Sequence, residues 1–232
     1  MVKAGCRALV GSLLFGLVIS APVLAAEPAV AIPPAADDAT KAAGPMQTAV
    51  LSGGCFWGVQ GVFEHLVGVR QVLSGYSGGA KSSASYEVVS GGNTGHAESV
   101  QITYDPAKVT YGQILRVYFS VAHNPTELNR QGPDVGTQYR SNIFYADQTQ
   151  KKIAEDYIAQ LSKSHVFSAP IVTQVTPLHG FYPAEGYHQD YLLINPTSPY
   201  IVYNDLPKIR NFQQLLPVLY QAKAVTVTEL KQ

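Results

Sequence analysis

Cys55 combines a reactive group with surroundings that favour its reaction. It follows Gly53 and Gly54 and precedes Phe56 and Trp57, the only tryptophan of the chain. Apolar residues at helical spacing come next, so Cys55 is expected at a helix N-terminus, where unpaired N–H groups lower the pKa of a thiol. A free cysteine is more often an inert core residue. Glycines on one side and an aromatic pair on the other instead favour a nucleophile.

Glu98 is the candidate acid. Residues 97–104 alternate like a strand, which places Glu98 on the face of Val100 and Ile102. A carboxyl group among apolar neighbours resists ionisation, so its pKa rises and it becomes a general acid near neutral pH. A solvent-facing glutamate is the more frequent case, and alternation alone does not exclude it.

Other polar groups are less specific by themselves. Tyr86 and Tyr139 are two of 14 tyrosines, Asp134 suits a turn, and His188 lies in a polar and aromatic cluster. The sequence contains no pair of histidines at metal-ligand spacing with a third ligand, no P-loop and no dinucleotide fingerprint. We therefore expect no metal and no cofactor.

The composition indicates a single folded domain. The chain has 232 residues, 46% of them hydrophobic, and a formal net charge of zero. The aromatic content argues against disorder, and the charge balance gives no basis for nucleic-acid or anionic-membrane binding.

The N-terminus has the pattern of a signal peptide over residues 1–25. Lys3 and Arg7 precede the apolar stretch 8–23, and small residues at Val23 and Ala25 form a cleavage pattern. We expect a periplasmic or secreted protein without stable membrane association. Cleavage removes Cys6, which leaves Cys55 without an intramolecular disulfide partner.

Strands and helices alternate after an Ala/Pro-rich segment, residues 26–46, that is expected to be a flexible leader. The folded domain is expected over residues 47–220, with a tail at 221–232. Expected strands are 49–51, 69–73, 97–104, 141–145 and 171–175. Helices are expected after Cys55, Thr110 and Asp147, with a weakly helical stretch around 209–216, and 74–95 and 124–138 are expected to be loops. This mixed order predicts an α+β or α/β sandwich.

Five motifs in order over about residues 48–210 resemble the A-type peptide methionine sulfoxide reductases. They are Gly53-Gly54-Cys55-Phe56-Trp57-Gly58, Tyr86-Glu87-Val88, Gly95-His96-Ala97-Glu98, Gly136-Thr137-Gln138-Tyr139-Arg140-Ser141 and Tyr187-His188-Gln189-Asp190-Tyr191. The resemblance implies an α+β fold: a two-layer α/β sandwich with a ferredoxin-like core, in which helices flank a mixed sheet.

The resemblance also implies roles for single residues. Phe56 and Trp57 would form the pocket for the sulfoxide methyl group. Glu98 would be the acid at the sulfoxide oxygen, with Tyr86 and Tyr139 as hydroxyl donors to it. Asp134 and His188 resemble the family residues near the substrate backbone and the pocket rim.

The implied reaction is the reduction of methionine-S-sulfoxide in proteins, peptides and free methionine, a repair of oxidative damage. Cys55 would become a sulfenic acid. Many family members carry further cysteines in the C-terminal part, and residues 206–232 have none. We expect an external thiol, thioredoxin-like or small, to regenerate Cys55 in a monomer.

Two other functions fit parts of the pattern. A cysteine hydrolase would need His96 or His188 as the base that activates Cys55. A binding module would use the aromatic pocket to hold an apolar side chain without turnover.

Overall fold

The computed structural model describes residues 29–227, so the predicted signal peptide and residues 228–232 lie outside the described residues. Its strands are β1 (Gln47–Ser52), β2 (Val69–Ser77), β3 (Ala97–Tyr104), β4 (Arg130–Gln131), β5 (Asp134–Val135), β6 (Asn142–Tyr145), β7 (Gln174–Pro177) and β8 (Phe181–Pro183). Its α-helices are α1 (Phe56–Glu64), α2 (Tyr86–Val89), α3 (Tyr111–Val117), α4 (Gln148–Ser164), α5 (Tyr191–Ile194) and α6 (Leu206–Leu215).

Six of these strands form one mixed sheet in the order β7-β6-β1-β3-β2-β8. All neighbours pair antiparallel except β6 and β7, which are parallel. Helices flank the sheet, so the predicted α+β class is confirmed. In the described part of the chain, no helix is both long enough and apolar enough to span a bilayer.

Helix α1 joins the turn that carries Cys55 to the core. Val59, Val62 and Phe63 are buried in the hydrophobic cluster that also takes in Val72 of β2 and Ile102 of β3. This apolar face holds α1 on the sheet, and the N-terminus of α1 is therefore fixed relative to the start of β3.

Several local signals are confirmed. Strand β3 has the predicted bounds, Thr110 and Gln113 form the predicted capping box of α3, and the Asp147 side chain caps α4. Other bounds differ because tertiary pairing decides them. Strand β2 extends to Ser77 within the predicted loop, where it pairs with β3 and β8, and α2 also forms there. The strand predicted at 171–175 lies at β7 instead.

Residues 29–46 of the leader and residues 221–227 of the tail pack on the domain. Residues 29–46 contain no helix or strand, yet Ile32 is buried, and Asp38 accepts hydrogen bonds from Thr110 Oγ1 and the Gly112 N–H. In the tail, the Val225 N–H donates to the backbone carbonyl of Glu64. This packing differs from the flexible leader predicted from composition, because side-chain and backbone contacts with α3 replace the missing regular structure.

Candidate active site

The turn that carries Cys55 depends on its two glycines. A Cβ on Gly53 would lie 2.7 Å from His123 Cγ, and one on Gly54 would lie 2.7 Å from Gln131 Cβ. Gly54 also has a φ of 87°, in the left-handed region that L side chains disfavour. Cys55 follows as the N-cap of α1 with 9% exposure. The glycines therefore let neighbouring segments close around the thiol.

A buried hydrogen-bond network supports this turn. Tyr118 Oη donates to the carbonyl of Ser52 at 2.6 Å, and Ser141 Oγ lies 2.9 Å from Tyr118 Oη and 2.7 Å from His123 Nε2. Burial lowers the pKa of His123 to about 3, so its ring is neutral and a hydrogen-bonding spacer. These residues fix the backbone that leads into Cys55, and the sequence patterns do not reveal them.

The resting thiol is protonated, which corrects the prediction of a lowered pKa. Burial raises the pKa of Cys55 well above its ordinary value, and the carboxyls of Glu98 and Asp205 raise it further. The Trp57 N–H at the helix start lowers it but does not outweigh burial. A helix N-terminus lowers the pKa of a thiol, but at Cys55 desolvation of the thiolate raises the pKa by more.

Glu98 has the environment of a general acid. It is 4% exposed at the start of β3, and its Oε2 accepts the Phe56 N–H at 3.1 Å. Burial raises its pKa to about 8, although the Phe56 hydrogen bond acts in the opposite direction. The predicted buried face of β3 is confirmed, since Val100 and Ile102 are also buried.

The two predicted tyrosines share this space with Glu98 and Cys55. Tyr86 starts α2 and is 37% exposed, whereas the carbonyl of Tyr139 accepts the Gly54 N–H at 3.1 Å. Burial raises the pKa of both phenols, and the charges of Glu98 and Cys55 add to this effect in each. Both hydroxyls therefore stay protonated and available as donors.

The rings of Phe56 and Trp57 form an aromatic wall beside the thiol, and His188 lies behind them. Trp57 stacks on Tyr191 with ring centroids 3.8 Å apart, and its Nε1–H donates to His188 Nδ1 at 3.1 Å. The His188 ring lies 5.0 Å from Phe56 and 4.6 Å from Tyr86. The wall is apolar enough for a methyl group and lies next to the polar groups around Glu98.

A cavity of about 100 Å³ reaches Cys55 from the side of Asp134, and Tyr200 and Lys208 also line it. Asp134 accepts a hydrogen bond from Tyr200 Oη. No cluster of three or more potential metal ligands occurs among residues 29–227. The structure thus brings the seven other predicted residues together around the Cys55 thiol, with Asp134 on the cavity side.

The histidines considered as bases for a hydrolase have other partners. His96 Nδ1 accepts the Gly79 N–H, its Nε2 donates to the carbonyl of Ala80, and His188 Nδ1 is occupied by Trp57. Among the described residues, no hydrogen bond joins a ring nitrogen of His96 or His188 to Cys55.

The comparisons with known proteins agree with this site. The family model described as peptide methionine sulfoxide reductase matches residues 47–217. The chain belongs to this family. It is 65% identical over 187 residues to the peptide methionine sulfoxide reductase MsrA 2 of Mesorhizobium japonicum, an alignment that covers 81% of this chain and 96% of that protein. It is 52% identical to MsrA 2 of Synechocystis, covering 72% and 78%.

Solved structures show the same relationship. The reduced form of Mxr1 from Saccharomyces cerevisiae matches with a TM-score of 0.59 and 33% identity, covering 68% of this chain and 91% of Mxr1. Methionine sulfoxide reductase A of Corynebacterium diphtheriae matches with a TM-score of 0.57 and 33% identity, covering 68% and 79%. The reductase is thus an oxidoreductase that converts methionine sulfoxide to methionine.

Sequence reasoning missed several groups around the site of the reductase. Glu185 accepts the Tyr86 N–H and the Tyr76 hydroxyl, both at 2.9 Å, and so fixes the start of α2. The buried pair of Asp205 and Lys208, 3.1 Å apart, packs directly on Gly58. The i,i+3 spacing of this pair at the start of α6 is the one signal the sequence offers for it.

Proposed function

We propose that Cys55, Glu98, Tyr86 and Tyr139 carry out the first half of the reaction. The observation that carries this proposal is the buried Glu98 carboxyl, protonated below a pKa of about 8, in the same space as the Cys55 thiol. A sulfoxide sulfur becomes a good electrophile when its oxygen is protonated or strongly hydrogen-bonded. Glu98 protonates that oxygen, and the two phenols donate hydrogen bonds to it.

The protons balance in this step. Because the resting thiol is protonated, Glu98 gives its proton to the sulfoxide oxygen and takes up the Cys55 proton as sulfur attacks sulfur. The protonated oxygen passes to the Cys55 sulfur, the sulfur–oxygen bond of the substrate and the transient sulfur–sulfur bond both break, and methionine leaves. Cys55 is oxidised to a sulfenic acid, and Glu98 ends protonated as it began.

An external thiol completes the cycle. One thiol attacks the Cys55 sulfenic acid, releases water and forms a mixed disulfide, and a second thiol frees Cys55 as a disulfide forms between the two. Cys55 is the single cysteine after residue 6 of the sequence. This supports a one-cysteine enzyme with a thioredoxin-like or small thiol as reductant and no bound cofactor.

Both the aromatic wall and the polar Asp134 at the cavity bind the substrate. Phe56 and Trp57 receive the methyl group of the sulfoxide, and Asp134 faces the substrate backbone from the cavity side. His188 lies behind the wall. We assign the S epimer, in proteins, peptides and free methionine, on the resemblance to the A-type enzymes.

The cellular setting follows from the N-terminal pattern. A signal peptide at residues 1–25 would export the enzyme to the periplasm or beyond, without stable membrane association and with no role in nucleic-acid binding. The mature monomer comprises the leader at 26–46, the catalytic domain at 47–220 and the tail at 221–232. Its role there is the repair of oxidised proteins.

The test uses residues 26–232, dithiothreitol and a methionine-sulfoxide peptide supplied as separate epimers. Mass spectrometry follows the loss of one oxygen, and Cys55→Ser is the control. We expect loss of oxygen from the S epimer alone and none with Cys55→Ser. Turnover by Cys55→Ser would reject the nucleophile, and reduction of both epimers would reject the stereochemical assignment.

A further inference from the structure

His188 is placed to act on Trp57 instead of on the substrate. Its side chain is 2% exposed and lies behind the aromatic wall. An indole N–H donates hydrogen bonds and does not accept them. The 3.1 Å contact with Trp57 Nε1 therefore requires Nδ1 of His188 to be an unprotonated acceptor, with the ring proton on Nε2.

The opposite edge of the ring explains why the imidazole stays neutral. Nε2 of His188 is buried and has no hydrogen-bond partner among the described residues. The nearest carboxyl oxygen, Glu185 Oε2, is 3.9 Å away, beyond hydrogen-bond range. Burial lowers the pKa of His188, and Glu185 opposes this effect without outweighing it.

The groups that face the ring come from three elements. Phe56 and Trp57 belong to α1, Tyr86 belongs to α2, and Glu185 and Tyr187 flank His188 in its own turn. Glu185 is the one carboxyl among these neighbours. A proton on Nδ1 of His188 would place two N–H donors opposite each other at 3.1 Å, so the hydrogen bond with Trp57 would be lost.

We propose that His188 is a positioning residue: as a neutral acceptor it holds the Trp57 indole in the orientation that binds the sulfoxide methyl group, and protonation of its ring at acid pH releases the indole. The proposal rests on the proposed function in taking the Trp57 face as the methyl site. It adds a group that acts on binding through another side chain and makes binding sensitive to pH.

Trp57 is the only tryptophan of the chain, so intrinsic emission reports its surroundings directly. We expect the emission of the wild-type enzyme to titrate with a midpoint below the ordinary pKa of histidine. His188→Leu, which lacks the acceptor, should lose the titration and emit like the acid form of the wild type. His188→Asn places an acceptor oxygen where Nδ1 lies, so it should lose the titration but emit like the neutral form.

Two further variants identify the titrating group and the route of its effect. Glu185→Gln should move the midpoint to lower pH, because the Glu185 charge favours the protonated ring. In steady-state assays His188→Leu should raise KM by about tenfold, the size of one lost hydrogen bond, with kcat nearly unchanged. His188→Asn should restore KM, and in a Trp57→Phe background His188→Leu should raise KM no further.

A wild-type emission that is flat between pH 8 and pH 4 would overturn the inference, even in an enzyme that reduces sulfoxides normally. An equal rise of KM for His188→Leu in the Trp57→Phe background would also overturn it, because His188 would then act without Trp57. A wild-type emission that titrates as expected, in a protein that reduces no sulfoxide, supports the positioning role and refutes the proposed function.

Discussion

Replacement of Glu98 by Gln tests the proton source of the reaction. The pKa of Glu98 is about 8, so at pH 7 about ten in eleven molecules carry the proton. The single-turnover rate should be constant below pH 8 and fall about tenfold for each pH unit above it. Glu98→Gln keeps a donor to the sulfoxide oxygen but has no proton to transfer, so it should be slower by roughly 10²–10⁴-fold.

The same substitution has an opposite effect on stability. Burial raises the pKa of Glu98 from 4.5 to about 8, a difference of about 3.5. The unfolded chain releases this proton near its ordinary pKa and the folded chain releases it near 8, so the free energy of unfolding falls as pH rises between the two values. At about 1.4 kcal/mol per pH unit, the wild type loses roughly 5 kcal/mol at most, and Glu98→Gln avoids this loss.

The assay is rapid chemical quench at pH 6 to 10 with a methionine-S-sulfoxide peptide in excess over the reduced enzyme. Urea denaturation at pH 5 and pH 8 measures the stability of both proteins. A slow and more stable variant at pH 8 is the expected result. A Glu98→Gln enzyme that keeps the wild-type rate and the alkaline limb would refute the assignment of Glu98 as the acid.

Two further substitutions test packing around α1. A Cβ on Gly58 would lie 2.0 Å from Asp205 Oδ1. Gly58→Ala should therefore lower the free energy of unfolding by about 1–3 kcal/mol and lower the rate of sulfoxide reduction by Cys55. The control Gly44→Ala, with open space around the new methyl group, should change neither quantity. Glu64 is buried beside the Asp190 carboxyl, and burial, a side-chain hydrogen bond with Asp190 and the Asp190 charge all raise its pKa. Glu64→Gln should therefore raise the melting temperature more at pH 8 than at pH 5, and an equal or reversed change would contradict the buried acid.

Local sequence signals predicted the elements that depend on local physics. The capping box at Thr110, the Asp147 cap and the alternation of β3 each involve residues that are close together in sequence, so a local pattern predicts them. The predicted strand at 171–175 was displaced because its position depends on a parallel partner, β6, which lies far away in sequence. The packing of residues 29–46 was not predicted, since it comes from contacts with α3 and α4.

The sequence by itself predicted Cys55 as the candidate nucleophile, placed Glu98 on the buried face of β3 and, through its ordered motifs, indicated the family. These features are encoded in residue types at short spacing. The tertiary structure alone decided the protonation of Cys55, because that depends on how much water and which carboxyls surround the sulfur after folding. It alone decided the partners of Trp57 and Gly58 as well, since His188 and Asp205 reach α1 from more than a hundred residues away.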